Sequence, residues 1–480
     1  MGMAKTAIYG PQSVTYEYEK EDTCLDLSIN AMTRQALSIK LKDNFSLDDY
    51  KGFTVSCWVK KHPGDPEPYT ILSQTQKDSI VMSGWQIKTQ TNGAWEWWFS
   101  DGFKTWNYRP TIKQKIDDGE WHLLTFSFDR DLKQARLYYD GNNVAIYSLN
   151  DSQIRLNSSL IHIGTATPDE EKPDLFNGQL DDLQIWSRVI NDDEVRILYK
   201  KKEYQCFQKR INAKSIKVMT WNLWDGGTHD GKYVGVQRII RLVENEMPDI
   251  LLLQEAGEAG IAIADALNYK LYKRSDNLCV LSQYPIVDAH NIFKSDIIGC
   301  VQLQVKKDQS IFICPVQLSE TPLLEEYLKS TEVNVDSVLV WEMESRGKEV
   351  QFLLSELSHL TYNADMKPLI IGGDFNTGSH LDWTTNNTKK NFGLSIPYPT
   401  SMQMEAKGFI DSYRQVYPDE TIDFGYTLSP RTDSIMKNRT SFIYYKGKHL
   451  ATVESYTLND YAFDFPSDHA AVITTFEWQD

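Results

Sequence analysis

The chain has 480 residues, more than one hydrophobic core usually holds, so we expect two domains. Hydrophobic residues make up 41% and charged residues 24%, which argues against a disordered or fibrous chain. The formal charge of -16 argues against binding of nucleic acid by broad phosphate neutralisation, although cations bound at an active site would still permit a nuclease.

The amino terminus, MGMAKTAIYG, has no apolar run typical of a secretory signal, and the longest apolar runs, such as residues 250–253, are strand-sized. Gly2 with Thr6 fits the loose N-myristoylation pattern, which is short, and a single acyl chain anchors poorly. The six cysteines are scattered, which favours reduced, buried thiols over a disulfide or zinc framework. We therefore expect a cytoplasmic protein without a transmembrane segment, with export by another route left open.

Short segments of alternating apolar residues dominate the first 200 residues. Residues 53–59, 122–128 and 135–139 each form such a segment and are rich in aromatic and β-branched side chains, as strands are. Asp140-Gly141 follows the third segment and is a hairpin turn signal. The pattern predicts an all-β antiparallel sandwich in this half.

Residues 119–123, 137–141 and 176–186 resemble segments of the laminin-G/concanavalin-A-like domains. The resemblance covers roughly residues 12–200 and implies a jelly-roll sandwich, a fold that often binds glycans, glycoproteins or calcium. Its many tryptophans fit core packing better than a sugar-stacking platform. The adjacent acids at positions 181 and 182 are candidates for a Ca²⁺ site, but two neighbouring acids are a weak metal signal.

Residues 205–214 are polar and basic and follow a helix-like stretch, as a linker would. We therefore divide the chain into a first domain at residues 1–204, this linker, and a second domain at residues 215–480. The second domain begins with an apolar strand at residues 216–222 and continues with helical periodicity at residues 236–246. An α+β layered domain is expected.

Four polar motifs lie next to apolar strands of this second domain. Asn222 ends the first strand, and Glu255 ends the second. A GGDFN motif follows a later strand and contributes Asp374 and Asn376, and the SDH tripeptide at residues 467–469 precedes the last strand. Because active sites built on sheets collect polar groups at strand ends, we expect these side chains to converge.

The four motifs resemble those of the endonuclease/exonuclease/phosphatase superfamily across nearly the whole of residues 215–480. The resemblance implies a deoxyribonuclease-I-like four-layer α+β sandwich that hydrolyses a phosphate ester with Mg²⁺ or Mn²⁺. A hard cation of this kind stabilises charge on non-bridging and leaving oxygens. The resemblance also implies that Glu255, Asn222 and Asp468 bind or support the metal.

The same resemblance implies roles for the groups around the phosphate. Asp374 would orient or deprotonate the attacking water, and Asn376 would fix that carboxylate or donate to a phosphoryl oxygen. His469 would donate to the phosphate. Any one of these residues alone is explained as readily by a satisfied buried polar group, but four motifs in the family's order favour an active site.

Two catalytic positions depart from the family pattern. Gln317 lies where the family strand typically ends in a histidine, and glutamine cannot donate or accept a proton at neutral pH. Ser441 lies where the family has an aspartate that orients the histidine, here His469. Asp433 or Asp464 could supply the missing carboxylate from a nearby loop.

Two function classes therefore stay open. The first is a Mg²⁺-dependent phosphoesterase with attenuated chemistry, favoured by the intact Glu255, Asp374 and Asn376. The alternative is a catalytically inactive pseudoenzyme that binds or scaffolds. The substrate could be nucleic acid, a nucleotide or a lipid headgroup, and residues 319–349 are the best candidates to select it, as a lid or as a packed helix. A glycan or protein ligand of the N-terminal domain also stays open.

Overall fold

The structure, a computed structural model, divides into two compact units, Met1–Cys206 and Phe207–Asp480. The N-terminal acylation pattern and the predicted linker, except for Lys214, lie outside the residues that the structure describes. The domain boundaries predicted from the sequence therefore stay a proposal. The described residues are 7–9, 24–28, 37–40, 51–78, 81–150, 152, 160–166, 175–200, 214–290, 292, 294, 296–330, 332–428, 430–431, 437–461 and 464–479.

Strands form most of the described part of the N-terminal unit. In chain order the elements are β1 (Ala7–Tyr9), β2 (Leu25–Asp26), β3 (Leu37–Lys40), β4 (Gly52–Lys61), β5 (Thr70–Asp78), β6 (Val81–Thr89), β7 (Trp95–Ser100), β8 (Thr105–Tyr108), β9 (His122–Asp129), β10 (Gln134–Tyr139), β11 (Asn142–Ser148), β12 (Leu160–Ile163), β13 (Gly178–Trp186) and helix α1 (Asp192–Lys200).

These strands form two sheets. One has the order β1-β13-β4-β9-β10-β11, with β2 also paired to β13, and the other has the order β3-β12-β5-β6-β7-β8. Pairs such as β4–β9 and β5–β6 are antiparallel, whereas β1 runs parallel to β13. The predicted all-β sandwich is confirmed. The predicted turn joins β10 to β11, and both Asp140 (φ 49°) and Gly141 (φ 77°) have the positive φ that a two-residue type I′ hairpin requires.

Aromatic side chains fill the space between the two sheets. The ring of Phe126 on β9 lies 4.9 Å from that of Trp85 on β6 and 6.2 Å from that of Trp97 on β7, measured between centroids. Both tryptophans are buried, as are most others of this unit, whereas Trp98 and Trp121 are partly exposed. The tryptophans thus serve mainly as core, and burial of such large rings is a major source of stability.

The two candidate calcium ligands lie on β13 at a bulge, where the register with β4 shifts between Asp181 and Gln184. The carboxylate of Asp181 accepts a hydrogen bond from the backbone of Asp182 at 2.8 Å. Over the described part of the chain, no three His, Cys, Asp or Glu side chains are grouped to hold a metal ion. The predicted calcium site therefore has no complete set of such ligands among the described residues.

The C-terminal unit contains both helices and strands. Its strands are β14 (Ser215–Asn222), β15 (Ile250–Gln254), β16 (Lys270–Lys273), β17 (Leu278–Ser282), β18 (Ile286–Ala289), β19 (Val301–Lys306), β20 (Gln309–Gln317), β21 (Leu369–Asp374), β22 (Ile410–Asp411), β23 (Ser441–Lys446), β24 (Leu450–Leu458) and β25 (Ala471–Trp478). Its helices are α2 (Trp224–Gly227), α3 (Val234–Glu246), α4 (Ala259–Leu267), α5 (Glu325–Leu328), α6 (Val335–Glu342), a π-helical turn (Met343–Gly347), α7 (Lys348–Glu356), α8 (Ser358–Tyr362), α9 (Pro399–Ala406) and α10 (Ser412–Val416).

Two sheets pack face to face in this unit, with the orders β16-β17-β15-β14-β25-β24 and β18-β19-β20-β21-β23-β22. They approach closely at Gly372, where an added Cβ would lie 2.6 Å from the Cδ1 atom of Leu252. Helix α4 covers the first sheet, since a Cβ on Gly260 would lie 2.7 Å from the sulfur of Cys279. Helix α7 covers the second sheet through a buried cluster that includes Leu353. The predicted four-layer α+β sandwich is confirmed.

The segment predicted to select the substrate packs as helices. Leu328 and Val338 lie in a buried cluster with Trp383, Ile396 and Tyr398. Of the two alternatives that the sequence left open, a lid or a packed helix, the structure shows the packed helix.

Within the described residues, no helix is long and apolar enough to cross a membrane. The cysteines in the described part of the chain are free thiols, as predicted, whereas Cys206 lies outside it. Cys57, Cys279, Cys300 and Cys314 are buried, and Cys24 is partly buried.

Candidate active site

Three neighbouring strands of the second sheet place predicted catalytic residues side by side. Gln317 at the end of β20 is in register with Asp374 at the end of β21, which is in register with Ser441 at the start of β23. Residues directly opposite one another on paired strands share one face of the sheet, with their Cβ atoms about 5 Å apart. We call these three residues the catalytic row. Both departures from the family pattern flank its carboxylate.

Asn222 links this row to the first sheet. It ends β14, and its Nδ2 atom donates to Oε1 of Glu255 at 2.9 Å and to Oδ2 of Asp374 at 3.1 Å. Its Oδ1 atom accepts a hydrogen bond from the backbone N–H of Trp224 at 3.0 Å. Because both ends of the amide bond to other groups of the protein, Asn222 acts as a bridge that holds two carboxylates together. This arrangement fits support of a metal site better than direct ligation.

Glu255 is fixed from several sides. It follows β15 in a left-handed backbone conformation (φ 49°), which is uncommon outside glycine and marks local strain. Besides the bond from Asn222, its Oε1 atom accepts from Nε2 of Gln317 at 3.1 Å, and its Oε2 atom accepts from the backbone of Asp225 at 3.1 Å. Its own N–H donates to Asn277. These bonds hold the carboxylate beside the catalytic row.

Asp374 is fully buried, and the next residues orient it. Its Oδ1 atom accepts a hydrogen bond from the backbone N–H of Asn376 at 3.0 Å. Asn376 has a φ of 50°, and its side-chain amide donates to the carbonyl of Leu318 at 2.9 Å. Of the two roles predicted for Asn376, its contacts fit fixing the carboxylate, and it does so through its backbone.

His469 is buried, but its ring is held loosely. Its Nε2 atom lies 3.7 Å from Oδ2 of Asp374, too far for a hydrogen bond, and its Nδ1 atom is buried without a hydrogen-bond partner. Trp221 binds its backbone carbonyl instead, at 2.8 Å. The residue is therefore positioned by its backbone. Neither ring nitrogen has a hydrogen-bond partner that would fix the tautomer of the ring.

Ser441 and His469 share no side-chain hydrogen bond. Thr427 and Leu428 run between the two residues: the Thr427 hydroxyl accepts from the backbone of Ser441 at 3.1 Å, and Leu428 forms a β-bridge with His469. The hydroxyl of Ser441 is itself buried without a partner. Ser441 Oγ and His469 Nδ1 are thus two buried and unsatisfied polar atoms, a costly arrangement unless a water or a ligand binds to each of them.

The suggestion that Asp464 replaces the missing carboxylate is wrong. Asp464 is exposed, and its backbone carbonyl accepts a hydrogen bond from Arg238 at 3.3 Å, while no bond reaches Nδ1 of His469. A side chain on this loop would have to turn inward to reach the ring, and Asp464 points to solvent instead. The other candidate, Asp433, lies outside the described residues.

Asp468 lies near two other carboxylates, those of Glu255 and Asp374. Burial raises the pKa of its carboxyl, and although His469 lowers it, the nearby charges of Glu255 and Asp374 raise it further. Its Oδ1 atom is buried without a partner, as is the Oε1 atom of Gln317. Unpartnered oxygens among mutually repelling carboxylates are the donor set that a hard divalent cation prefers. The acids nevertheless do not form a ready-made three-ligand group anywhere in the described residues.

A buried network of ion pairs lies next to the start of β23, the strand on which Ser441 of the catalytic row lies. The guanidinium of Arg439, which is fully buried, binds Asp382 at 3.0 Å and Asp411 at 2.7 Å. Arg414 binds Asp382 as well, at 2.6 Å. Burial alone would lower the pKa of Arg439, but the two aspartates raise it overall. Because Arg439 leads directly into β23, this network fixes the start of the strand on which Ser441 lies. The sequence analysis missed these residues.

A second buried ion pair, Glu342 with Arg346, joins α6 and the π-helical turn to the loop that follows β21. Thr377, next to Asn376, donates from its hydroxyl to Glu342 at 2.8 Å, and Arg346 binds the same carboxylate at 3.1 Å. Arg346 also donates to the carbonyl of Pro322 at 2.9 Å. Burial raises the pKa of Glu342, although Arg346 and Thr377 counteract this. The loops after β20 and β21 are therefore held by one pair of side chains on α6 and the π-helical turn.

Both units of the chain are similar to known proteins. Residues 35–196 match the Concanavalin A-like lectin/glucanases superfamily. An uncharacterized protein of Caenorhabditis elegans, F14F9.5, is 24% identical over 301 residues, which cover 55% of this chain and 92% of that protein. Similar solved structures include TDP2 from Caenorhabditis elegans, 18% identical over 55% of this chain and 74% of its own, with a TM-score of 0.40. The human Nocturnin catalytic domain is 19% identical over 56% of this chain and 96% of its own, also with a TM-score of 0.40.

The Endonuclease/Exonuclease/phosphatase family model matches residues 219–469, more than half of the chain, and spans every residue of the candidate site. The chain therefore belongs to the endonuclease/exonuclease/phosphatase family.

Proposed function

We propose that this chain hydrolyses a phosphate ester at the catalytic row with the help of a divalent cation, Mg²⁺ or Mn²⁺. The observation that carries the proposal is the bridge from Asn222 to Glu255 and Asp374, with hydrogen bonds of 2.9 and 3.1 Å. It holds two carboxylates from different sheets at one point. One of them can serve a cation and the other the attacking water, a division of labour that phosphoester hydrolysis needs.

Glu255 and Asp468 would hold the cation, with the Oε1 atom of Gln317 as a further oxygen donor. The buried, unpartnered oxygens of Asp468 and Gln317 fit such a group. When bound, the cation would stabilise negative charge on the phosphoryl and leaving oxygens.

The protein's own groups account for the rest of the reaction. Asp374, fixed by Asn376 and Asn222, would orient the attacking water and accept its proton. His469 would donate from Nε2 to a phosphoryl oxygen. Gln317 donates a hydrogen bond to Glu255. It would therefore orient the Glu255 carboxylate, and it cannot transfer a proton as a histidine would. The chemistry should be slower than with a titrating residue there.

A binding protein without turnover is the second candidate. The buried and unpartnered atoms of His469 and Ser441 favour it, because a histidine without an orienting partner is a poor proton donor. Binding of a metal would not separate the two candidates, since an inactive site can still hold magnesium.

Turnover of a substrate panel does separate them. The panel contains bis(4-nitrophenyl) phosphate, a single-stranded oligonucleotide, a dinucleotide, an inositol phosphate and sphingomyelin, each with Mg²⁺ and with Mn²⁺. We expect cation-dependent hydrolysis of at least one ester by the full chain, and none with the Glu255→Gln variant. Absence of hydrolysis across the panel would favour the binding protein.

We propose that the N-terminal sandwich is an accessory domain that binds a glycan or a protein. Trp98 supports this role, because it is partly exposed and lies on the outer face of its sheet in register with Gln86 and Asn107. A glycan array probed with the full chain and with Trp98→Ala tests it, with loss of signal in the variant as the expected result.

A further inference from the structure

Two buried cysteines lie opposite one another in the second sheet of the C-terminal unit. The antiparallel register of β19 and β20 pairs Val301 with Ile313. One residue beyond this pair, the same register places Cys300, immediately before β19, opposite Cys314 on β20. A bridge from Ile298 to β20 has the same register, so the pairing continues past the two cysteines.

The spacing across this pair suits a disulfide bond. Gly299 donates from its N–H to the carbonyl of Pro315 at 3.1 Å, so these two residues form a hydrogen-bonded pair. Hydrogen-bonded and non-hydrogen-bonded pairs alternate along antiparallel strands. Cys300 and Cys314 therefore form a non-hydrogen-bonded pair, the closer kind, with Cα atoms about 4.5 Å apart. Because disulfides join residues whose Cα atoms are about 4.4 to 6.8 Å apart, the bond needs little movement of the backbone.

Both thiols lie in the apolar layer between this sheet and α7. They share a buried cluster with Leu353 of that helix, and both cysteines are 0% exposed. Burial raises the pKa of the Cys314 thiol well above its usual range, and the neighbouring thiol of Cys300 raises it further. Cys314 is therefore protonated at neutral pH and reacts slowly with reagents that need a thiolate.

Pro315 weakens the strand pairing next to the two cysteines. Proline has no N–H, so its pair with Gly299 has one backbone hydrogen bond where two are usual. Proline in a sheet is normally confined to edge strands and bulges, whereas β20 lies between β19 and β21. Fewer backbone hydrogen bonds lower the free energy of local opening, which admits small molecules to a buried site.

We propose that Cys300 and Cys314 form a site of reversible oxidation, at which hydrogen peroxide produces a disulfide across the two strands. The peroxide O–O bond breaks as one thiol becomes a sulfenic acid, and the other oxygen leaves as water. The second sulfur then attacks the sulfenic sulfur: the S–S bond forms, the S–O bond breaks, and the departing hydroxide takes up the thiol proton. Two thiols and one peroxide thus yield one disulfide and two waters.

The disulfide would fasten the segment before β19, which contacts the candidate active site. The carbonyl of Ile297 accepts a hydrogen bond from the N–H of Gln317 at 3.0 Å. The carbonyl of Asp296 accepts one from the side chain of Asn277 at 3.3 Å, and Asn277 in turn accepts from the N–H of Glu255. This segment should therefore open less often once the disulfide has formed. The oxidation itself uses no catalytic group, so it does not rest on the proposed function.

Peptide mapping of the full chain after treatment with hydrogen peroxide tests the proposal. Free thiols are blocked with iodoacetamide in urea before the chain is digested with trypsin. We expect a peptide with Cys300 joined to a peptide with Cys314, and dithiothreitol should separate them. Cys279 is the internal control: it is also 0% exposed, but it lies opposite Leu253 and Lys273 and should stay a free thiol.

Cys24, which is only partly buried, shows whether the dose of peroxide is sufficient. If Cys24 is oxidised while Cys300 and Cys314 both stay free, the proposal is overturned. Pairing of either residue with a different cysteine, or its oxidation to a sulfinic acid without a crosslink, would overturn it as well.

A second measurement compares Cys300→Ala with Cys279→Ala, which removes an equally buried thiol from the same unit. Peroxide should raise the urea concentration at which the wild type and Cys279→Ala unfold, because the crosslink restricts the unfolded chain. It should also slow hydrogen exchange in peptides that span residues 296–301. Cys300→Ala should show neither change. Equal responses of all three proteins to peroxide would assign the effect to other groups and overturn the proposal.

Discussion

Two buried histidines of this chain differ in what surrounds them. His122, in the N-terminal sandwich, bonds through Nδ1 to Asp140 at 2.9 Å and through Nε2 to Asp118 at 3.0 Å. His469, in the C-terminal unit, is equally buried, but its Nδ1 has no partner and its Nε2 lies 3.7 Å from Asp374.

The difference separates a structural group from one available for chemistry. A buried polar group that serves the fold has its hydrogen bonds satisfied, because an unmade bond costs about 1–3 kcal/mol. A group that serves a ligand must keep an atom free for it. Burial alone does not distinguish the two histidines, whereas the count of their partners does.

The largest effect is expected from removing the two carboxylates that Asn222 bridges, Glu255 and Asp374. Glu255→Gln and Asp374→Asn should each lower kcat by about 100-fold or more, because they remove a cation ligand and the group that handles the attacking water. Initial rates with bis(4-nitrophenyl) phosphate measure the effect. Asp308→Asn, on the exposed turn between β19 and β20, is the control and should keep full activity. Wild-type turnover by either carboxylate variant would show that the assigned site is wrong.

The same substitution, made at each histidine in turn, tests the difference between them. His122→Gln should lower the free energy of unfolding by about 2 kcal/mol, because it breaks two charge-assisted hydrogen bonds and leaves the partly exposed Asp118 and Asp140 without a cation. His469→Gln should cost little stability and lower kcat by roughly 100-fold. Urea unfolding and initial rates give the two quantities. If both variants lose mainly stability, His469 is a structural residue.

The strand-end pattern of the sequence correctly brought Asn222, Glu255 and Asp374 together, because β14 and β15 end side by side in one sheet and β21 ends in the sheet that packs on it. It did not reveal that Asn222 bridges the two carboxylates, since that depends on the distance between two sheets. The left-handed backbone of Glu255 and Asn376 has no glycine to signal it.

Partners that lie far apart in the chain were equally invisible. Arg439 reaches Asp382 and Asp411, and Thr377 reaches Glu342, across sequence separations that no local pattern spans. An aspartate at the N-cap of a short helix, as Asp411 is for α10, was the one available signal for that network.

The two histidines should also differ in how pH affects them. Burial lowers the pKa of His122, but Asp140 and Asp118 outweigh burial and raise the pKa overall. The folded state therefore binds this proton more tightly, so the stabilisation is complete below the unfolded pKa of about 6.5 and is lost as the pH rises through the folded value. Hydrogen exchange of peptides that span β9 and β10 should show weaker protection at alkaline pH. The His122→Gln variant should not show this pH dependence, and an identical profile in variant and wild type would assign it to another group.

The smallest effect is expected from separating the two halves of the chain. A fragment that starts at Lys209 should fold and bind Mn²⁺ like the full chain, because the C-terminal unit has a buried core of its own. Circular dichroism and calorimetric titration with Mn²⁺ measure this. A molten fragment would show that the proposed boundary at residues 205–214 cuts through one cooperative domain.

The central claim is that His469 belongs to an active site weakened by Gln317 and Ser441. The measurement that tests it most directly is turnover of bis(4-nitrophenyl) phosphate by the double variant Gln317→His/Ser441→Asp, beside the wild type and each single variant. A carboxylate at position 441 would give the unpartnered Nδ1 atom a partner, and a histidine at position 317 would add a titrating group. We predict a rise of about 100-fold that requires both changes. A double variant that still binds Mg²⁺ and turns over no faster than the wild type would contradict the account.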